Sequence, residues 1–328
     1  MNIITKKLNA VFELILIISL ISISIILAID KRYATAVTSG ISLWIACVLP
    51  ALFPYFFITC ILSSLKITGK LSAFLSPLTK SLFNVSGNVG YAFFMSVISG
   101  YPVGAKIVSD LKEKGALNDA ESVRASCLCS TSSPMFLIGS VGNLMFRNSA
   151  FGLLLFLSHL ITAIFIGVIF SFYKRKERSN AFSSYIASTT VDNILYESAF
   201  SSVISVLIVG GLITIFYLLT ELLLNLGLLS PFINLLYMIT KDENVAKSIV
   251  LGIFECTKGL SALSNASFNV FSLPIASFLC SFGGLSVIAQ SIAYLKKAKI
   301  KTALFILSKI ISAVISFFIS LLFSIFFL

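Results

Sequence analysis

The chain has 328 residues, of which 58% are hydrophobic and only 11% are charged. Soluble domains carry roughly 25% charged residues, so this composition argues against a soluble fold and predicts an all-α polytopic membrane protein in a lipid bilayer. The net charge of +11 does not indicate nucleic-acid binding. Lys and Arg fall mostly in short loops between apolar runs, and no basic stripe is interleaved with aromatic residues.

Nine apolar runs approach or exceed the ~20 residues that cross a bilayer as a helix. They lie at about 10–29, 37–65, 89–109, 122–146, 151–173, 200–226, 247–264, 270–294 and 303–328. No cleavable signal is evident, so the first run is predicted to remain as a transmembrane helix. Pro50 and Pro54 predict a kink in the second run. The more polar residues 179–199 predict an interfacial helix.

Basic residues predict the topology, because Lys and Arg concentrate in cytoplasmic loops. Basic stretches lie within 66–80, 174–178 and 296–301. Three apolar runs separate each consecutive pair, so one run of each three should not cross. About seven full crossings and two incomplete ones result, with the N-terminus inside and the C-terminus outside. This topology places Lys31 and Arg32 outside, against the general rule.

The two halves of the chain share short sequence features. Residues 76–77 and 230–231 both read Ser-Pro, and 128–130 and 279–281 both read Leu-Cys-Ser. With the topology above, the halves are predicted to be inverted repeats, each with a broken or re-entrant helix pair. Chance similarity is the alternative. The predicted units are an N-terminal transmembrane helix over 1–35, a first repeat (gate domain) over 36–178 and a second repeat over 179–328.

Residues 99–106 interrupt an apolar run with Ser-Gly-Tyr-Pro-Val-Gly-Ala-Lys. Irregular backbone survives at membrane depth only where protein or a water-filled cavity covers it, and such breaks mark binding sites in transporters. Pro102 should start a helix that ends near Gly115. Close helix packing is the alternative role for the two glycines of the break. The candidate solute-binding residues here are Ser99, Gly100, Tyr101, Pro102 and Gly104.

A second break reads Ser-Thr-Ser-Ser-Pro over 130–134. Ser is a favoured N-cap and Pro a favoured first helical residue, so Ser133 should cap a half-helix that runs from Pro134 to about Phe146. The positive end of that helix suits an anionic or hydroxyl-rich ligand. A loop whose hydroxyls only cap helices is the alternative. The candidate site residues are Ser130, Thr131, Ser132, Ser133 and, facing the same cavity, Asn143.

Local polar pairs are also predicted between these breaks. Lys106 and Asp110 lie one helical turn apart and could form an ion pair. Residues 118–121 read Asn-Asp-Ala-Glu, which predicts a capping box that opens the next helix.

Glu255 is an ionisable residue inside an apolar run, in the sequence Glu-Cys-Thr-Lys-Gly over 255–259. Such a residue is a functional hypothesis by default, and Thr257 is a candidate site residue beside it. The alternative role for Glu255 is an internal pair with Lys258. Glu221 lies near the end of its run and is expected at the membrane interface.

Other chemistry finds little support in the sequence. The six cysteines lie in apolar surroundings and predict buried thiols, and the single His159 predicts a packed imidazole. No metal site, cofactor or catalytic residue is therefore expected. P-loop, H-E-x-x-H and G-x-S-x-G motifs are absent from the sequence, so we do not expect an enzyme. An intramembrane enzyme that uses Glu255, Lys106, Asp110 and Lys258 is a third alternative.

The motifs over 99–107, 130–142 and 252–259 resemble those of sporulation integral membrane proteins of the YlbJ type. The first two motifs are similar to the nucleoside-recognition, or gate, domain that concentrative nucleoside transporters share. The resemblance implies a multi-pass protein in the cell membrane of a spore-forming bacterium, required for making resistant spores, and it suggests transport during sporulation.

The leading hypothesis is a secondary transporter or channel-like permease for a small polar solute. Residues 130–133 would hold polar groups of the solute, and Glu255 would bind a coupling cation or a basic or hydroxyl group. A non-transporting membrane scaffold for spore coat or cortex assembly is the alternative. The buried polar breaks favour transport, because a scaffold gains nothing from them. The sequence leaves the solute, the coupling ion and the oligomeric state open.

Overall fold

The computed structural model describes residues 17, 21, 24–25, 29–65, 67–177 and 191–327, and every regular element within them is helical. The predicted transmembrane helix over 10–29 lies largely outside the described residues. The predicted interfacial helix over 179–199 is described from residue 191 onward, where it is the start of a long apolar helix rather than a separate element.

The helices of the first half are α1 (Lys31–Leu43), a π-helical turn (Trp44–Val48), α2 (Leu49–Ser64), α3 (Ile67–Phe83), α4 (Gly87–Ser99), α5 (Val103–Glu113), α6 (Asp119–Leu128), a π-helix (Met135–Met145) and α7 (Ser149–Phe170). Those of the second half are α8 (Val191–Asn225), α9 (Ser230–Thr240), α10 (Glu243–Phe254), α11 (Cys256–Ser264), α12 (Ser272–Phe282), α13 (Gly284–Lys297) and α14 (Ala303–Phe327).

Five helical segments of the described chain are long and apolar enough to cross a membrane. They are Lys31–Ser64, Ser149–Phe170, Asn193–Asn225, Ser272–Lys297 and Ala303–Phe327. The all-helical, polytopic prediction is therefore confirmed. Within the first span the chain winds as a π-helix just before Pro50, and Pro54 lies inside α2. The kink predicted at these prolines thus coincides with a π-helical turn, and both prolines and π-helical turns are common causes of helix kinks.

Two pairs of short helices fold back as hairpins, α4 with α5 and α10 with α11. Ser86, before α4, donates its backbone N–H to the Glu121 carboxylate at 2.5 Å, so the start of α4 lies beside the start of α6. Asn244, at the start of α10, donates to the backbone carbonyl of Asn265 at 3.3 Å, just after α11 ends. Each hairpin therefore begins and ends on one side of the molecule, and its tip lies inside.

The three predicted basic stretches lie at one end of the bundle, called here the basic end. Asn84, just after α3, donates to the Arg175 carbonyl at 3.0 Å, and Lys297 pairs with Glu113 at 3.5 Å. The hydrogen bond from Lys112 holds the pKa of the Asp119 carboxyl below its ordinary value, and the charges of Lys301 and Lys174 add to this. Clustering of these basic loops at one end matches the pattern on which the topology prediction depends.

The predicted capping box over 118–121 is half formed. The Asn118 side chain accepts from the Glu121 backbone N–H at 2.8 Å, as predicted. The Glu121 carboxylate does not close the box, because it accepts instead from Ser86. The predicted Lys106–Asp110 ion pair is also not formed, since the Lys106 ammonium donates to Ser201 Oγ at 2.9 Å. Both Glu121 and Lys106 therefore bond to residues at other helices rather than to their local partners.

Asp242 caps the start of α10 and connects it to the loop after α11. Its carboxylate accepts from the backbone N–H groups of Asn244 at 2.8 Å, Val245 at 3.2 Å and Ser267 at 3.3 Å. Burial pushes the pKa of this carboxyl upward, but the hydrogen bonds outweigh it and the pKa lies below its ordinary value.

We expect Asp242→Ala to lower the free energy of unfolding by about 1 kcal/mol, the usual cost of an N-cap. Glu243→Ala is the control, because Glu243 makes an exposed pair with Lys247 at 2.6 Å and its loss should cost under about 0.5 kcal/mol. Because the pKa of Asp242 is lower in the folded state than in the unfolded state, its carboxylate stabilises the fold at pH values above the unfolded-state pKa. That stabilisation is lost as the pH falls through the folded-state pKa. The difference between wild type and Asp242→Ala in thermal unfolding should therefore shrink below about pH 4. Equal losses in both variants would contradict the capping role.

Candidate solute-binding site

The first break separates α4 from α5 at Gly100, Tyr101 and Pro102. Gly100 has φ of +78°, and a Cβ there would lie 2.8 Å from the backbone nitrogen of Ser133. A Cβ on Gly104 would lie 1.8 Å from the carbonyl oxygen of Cys129. Both glycines thus bring the first break into direct contact with the second, as in the packing alternative.

The second break covers Cys129–Ser133, between α6 and the Met135–Met145 helix. Ser133 Oγ accepts from the Phe136 N–H at 3.2 Å, so the predicted cap is present. Thr131 and Ser96 hydroxyls bond at 2.8 Å, and Ser99 bonds to Thr59, so these hydroxyls connect helices to one another. The Ser130 hydroxyl is buried without a hydrogen-bond partner among the described residues.

The third break is Glu255, between α10 and α11. Its side chain is buried, and one carboxylate oxygen accepts from the Lys258 backbone N–H at 2.6 Å. The Lys258 ammonium donates to Thr220 at 2.8 Å and pairs with Glu221 at 3.2 Å. The alternative Glu255–Lys258 ion pair is therefore replaced by a backbone cap and a Lys258–Glu221 pair.

A fourth break lies at Gly283, between α12 and α13, and was not predicted from the sequence. Gly283 has φ of +82° and Gly284 φ of +75°. A Cβ on Gly284 would lie 2.9 Å from the backbone nitrogen of Cys256, so the third and fourth breaks pack together. The Leu-Cys-Ser sequence just before this break was a signal that could have located it.

One cavity, with a volume of about 50 Å³, brings together predicted site residues of both halves. This space, called here the central cavity, is lined by Tyr101 and Ser132 from the first half and by Glu255 and Thr257 from the second. Val48 and Leu52 before and on α2, with Val209 and Ile213 on α8, complete an apolar wall. A few polar groups placed in an otherwise apolar lining are typical of small-molecule sites.

The remaining predicted site residues do not line the central cavity. Those at the first two breaks are Ser99, Gly100, Pro102, Gly104, Ser130, Thr131 and Ser133. Asn143 is exposed and accepts from Ser149 Oγ at 2.8 Å, so the prediction that it faces the same cavity is wrong. It lies near the far end of the Met135–Met145 helix, several turns from Ser132.

Lys309 on α14 lies beside the cavity and was missed in the sequence. It is 1% exposed, donates to the Tyr101 hydroxyl at 2.7 Å, and its ammonium nitrogen lies 4.3 Å from the centroid of that ring. Within the described ranges, no carboxylate lies at salt-bridge distance from Lys309. A single lysine within the run 303–328 was the available signal, by the same reasoning that identified Glu255.

His159 on α7 is buried, as predicted, and fixes the second break against α12. Its Nε2 accepts from the Ser132 backbone N–H at 2.9 Å. Its Nδ1 lies 2.8 Å from Ser281 Oγ, which in a neutral imidazole makes Nδ1 the donor. This contact joins Ser132 of the central cavity to the second half of the chain. All six cysteines are unpaired thiols, as expected.

Comparison with curated proteins finds a relative that covers most of this chain. The sporulation integral membrane protein YlbJ of Bacillus subtilis (strain 168) is 27% identical over 300 residues, which cover 84% of this chain and 74% of that protein. The resemblance to the YlbJ type is confirmed. This chain is a multi-pass membrane protein, as the five membrane-length helical segments of the described residues and this relative agree. No family model matches it, and no solved structure matches it. The nucleoside-recognition or gate domain therefore stays a prediction.

Proposed function

We propose that this chain is a secondary transporter or channel-like permease that moves a small polar solute across a cell membrane during sporulation. The role in sporulation follows from the name of its Bacillus subtilis relative. The transport role depends on one observation: Tyr101 and Ser132 from one half and Glu255 and Thr257 from the other line the same cavity at broken helices. Discontinuous helices around a central site are a common transporter plan.

The contacts between helices support two repeats related by a twofold axis. In the first half, α2 packs against α4 and the Met135–Met145 helix; in the second, α8 packs against α10 and α13. Across the halves, α5 packs against α13 and α11 against the Met135–Met145 helix, while α6 packs against α14 and α12 against α7. Each contact has a counterpart when the corresponding helices of the two halves are exchanged.

The ends of the hairpins support an inverted relation between these repeats. The α4–α5 hairpin opens at the basic end, where Glu113 pairs with Lys297. The α10–α11 hairpin opens at the other end. Val270 follows α11, and its carbonyl accepts from Ser324 at 2.7 Å, near the end of α14. Because α14 begins just after the basic stretch 296–301, its last residues lie at the end opposite the basic end. Each repeat then contains a long crossing, an interfacial helix, a re-entrant hairpin, a broken crossing and a final crossing. With the predicted helix at 10–29, this gives seven full crossings and two incomplete ones.

The decisive experiment measures solute movement with purified protein in proteoliposomes. Thermal stabilisation by nucleosides, dipicolinate-like dianions, amino acids and sodium first identifies a ligand, because a ligand that binds only the folded state raises its melting temperature. Labelled ligand should then accumulate faster than in protein-free vesicles. A membrane scaffold predicts no stabilisation and no flux, so that result would reject the proposal.

We expect Lys309→Met to reduce flux while leaving folding intact. The methionine side chain fills similar space. Because no carboxylate lies beside the Lys309 ammonium, its removal leaves no buried negative charge unpaired. Tyr101 would lose its hydrogen bond from Lys309 and its fixed orientation at the cavity. Thermal unfolding and proteoliposome flux measure the two effects separately. A stable variant with unchanged flux would show that Lys309 has no part in solute movement.

A further inference from the structure

A second cavity, with a volume of about 240 Å³, lies between α2, α5 and α8. Its polar lining includes Thr59, Ser63, Lys106, Asp110, Glu197 and Ser201, none of which belongs to the central cavity. Charged side chains at membrane depth face bundle interiors or water-filled cavities. Lys106 donates to Ser201, while the Ser198 hydroxyl that also lines the space is buried without a partner among the described residues. This cavity is suited to water and small hydrophilic solutes.

The second cavity lies toward the basic end of the bundle. Its lining on α2 extends to Ser64, the last residue of that helix, two residues before the basic stretch within 66–80. Its lining on α5 extends to Asp110, one turn before Glu113, which pairs with Lys297. Glu197, near the start of α8, is exposed at this end. The cavity therefore faces the side on which the basic loops lie.

Both cavities are arranged along the same faces of α2 and α8. On α2, Leu52 lines the central cavity and Phe56, one turn later, lines the second one. On α8, Ser205 lines the second cavity and Val209, one turn later, lines the central one. Because one helical turn advances about 5.4 Å, the two spaces are separated by about one layer of side chains.

That layer is apolar and closely packed. Phe56 is 2% exposed, and Leu52, Val103, Val206 and Val209 belong to the same buried apolar cluster. Val103 lines the second cavity and lies two residues after Tyr101, which lines the central one. The aromatic ring of Phe56 is the largest side chain of this layer.

We propose that the second cavity is an antechamber through which small hydrophilic solutes from the basic end reach the central cavity, and that Phe56 closes the passage between them. This inference rests on the proposed transport function. It places Lys106, Asp110 and Glu197, which do not line the central cavity, along the path of the solute. It also predicts which side of the membrane has access to the protein in the conformation described here.

Native cysteines allow a test that needs no known solute. Cys60 lines the antechamber, whereas Cys256 and Cys280 line the central cavity. Full-length protein in sealed vesicles of either orientation is treated with a charged, membrane-impermeant methanethiosulfonate, and modified cysteines are identified by peptide mass spectrometry. In wild type, Cys60 should be modified from the basic end alone and Cys256 should be protected. In Phe56→Ala, we expect the rate at Cys256 to rise about tenfold or more, because thiol modification follows access.

Phe53→Ala is the matched control, since Phe53 lies on the same helix, is 36% exposed and lines neither cavity. It should leave the Cys256 rate unchanged. If Phe56→Ala does not fold, Phe56→Leu narrows the plug and should raise the Cys256 rate by a smaller factor. Modification of Cys60 only from the other side, or no rise at Cys256 in the folded Phe56 variant, would overturn the proposal. Labelling reports the passage and flux reports transport, so either inference can fail without the other.

Discussion

Glu255→Gln is expected to reduce solute flux at least about tenfold while the protein inserts and folds normally. Glu255 is 1% exposed and lines the central cavity. Glutamine keeps a side-chain oxygen that can accept from the Lys258 N–H, so the cap on α11 is retained. The negative charge is lost, and a hydrogen bond to a charged group contributes about 1.5–3 kcal/mol. Flux should therefore fall by about 10- to 100-fold or more in proteoliposomes.

Glu221→Gln is the matched control for the charge itself. Glu221 pairs with Lys258 at 3.2 Å, but it does not line the central cavity and its side chain is 30% exposed. We expect that variant to retain most of the flux. Glu255→Ala adds a second comparison, because it removes the cap as well as the charge and should lower the melting temperature. Wild-type flux in Glu255→Gln would remove Glu255 from the solute site.

Gly104→Ala should destabilise the protein severely, by about 3 kcal/mol or more, because overpacking here cannot be relieved by a rotamer change. The added Cβ would lie 1.8 Å from the Cys129 carbonyl oxygen and 2.7 Å from Ser96 Cβ. The first of these atoms is backbone, so the two breaks would have to move apart. Thermal unfolding and the yield of monodisperse protein in detergent measure the loss.

Gly211→Ala provides the comparison on α8. A Cβ on Gly211 meets nothing within 4 Å, and alanine favours a helix over glycine by about 1 kcal/mol. That variant should be as stable as wild type or more stable. A Gly104→Ala protein with the wild-type melting temperature would contradict direct packing of the first break on the second. Gly104 would then again be a candidate for solute binding rather than a packing residue.

The broken helices were predictable because their signals are local. Pro134 after Ser133 specifies a helix start, and Gly100 before Pro102 specifies a helix end, whatever the surroundings. An ionisable residue such as Glu255 in an apolar run is visible in the same way, and so was Lys309, had the same rule been applied to 303–328. Asn143 was misplaced because only its proximity in sequence to Pro134 was considered. Nine residues along the Met135–Met145 π-helix carry it away from the cap, toward the other end of that helix.

Side-chain partners were not predictable, because each is chosen by tertiary packing. Glu121 and Lys106 both had suitable local partners and instead bond to Ser86 and Ser201. Lys258 pairs with Glu221, 37 residues away, rather than with the nearby Glu255. A local pair gains little where a buried donor or acceptor elsewhere would otherwise be left unsatisfied. The packing of helices that are distant in sequence therefore decides which polar groups meet.

Taken alone, the sequence determined that this is a helical, multi-pass membrane protein and where three of its four described breaks lie, since hydropathy and helix-end chemistry depend on neighbouring residues alone. Only the tertiary structure decided that Tyr101 and Glu255 line one cavity and that Lys309 reaches Tyr101 across 208 residues. It also decided that Phe56 lines a second cavity, one helical turn from Leu52 of the first. The physical reason is that a cavity is the space left between helices, and that space depends on how distant helices pack rather than on any one segment.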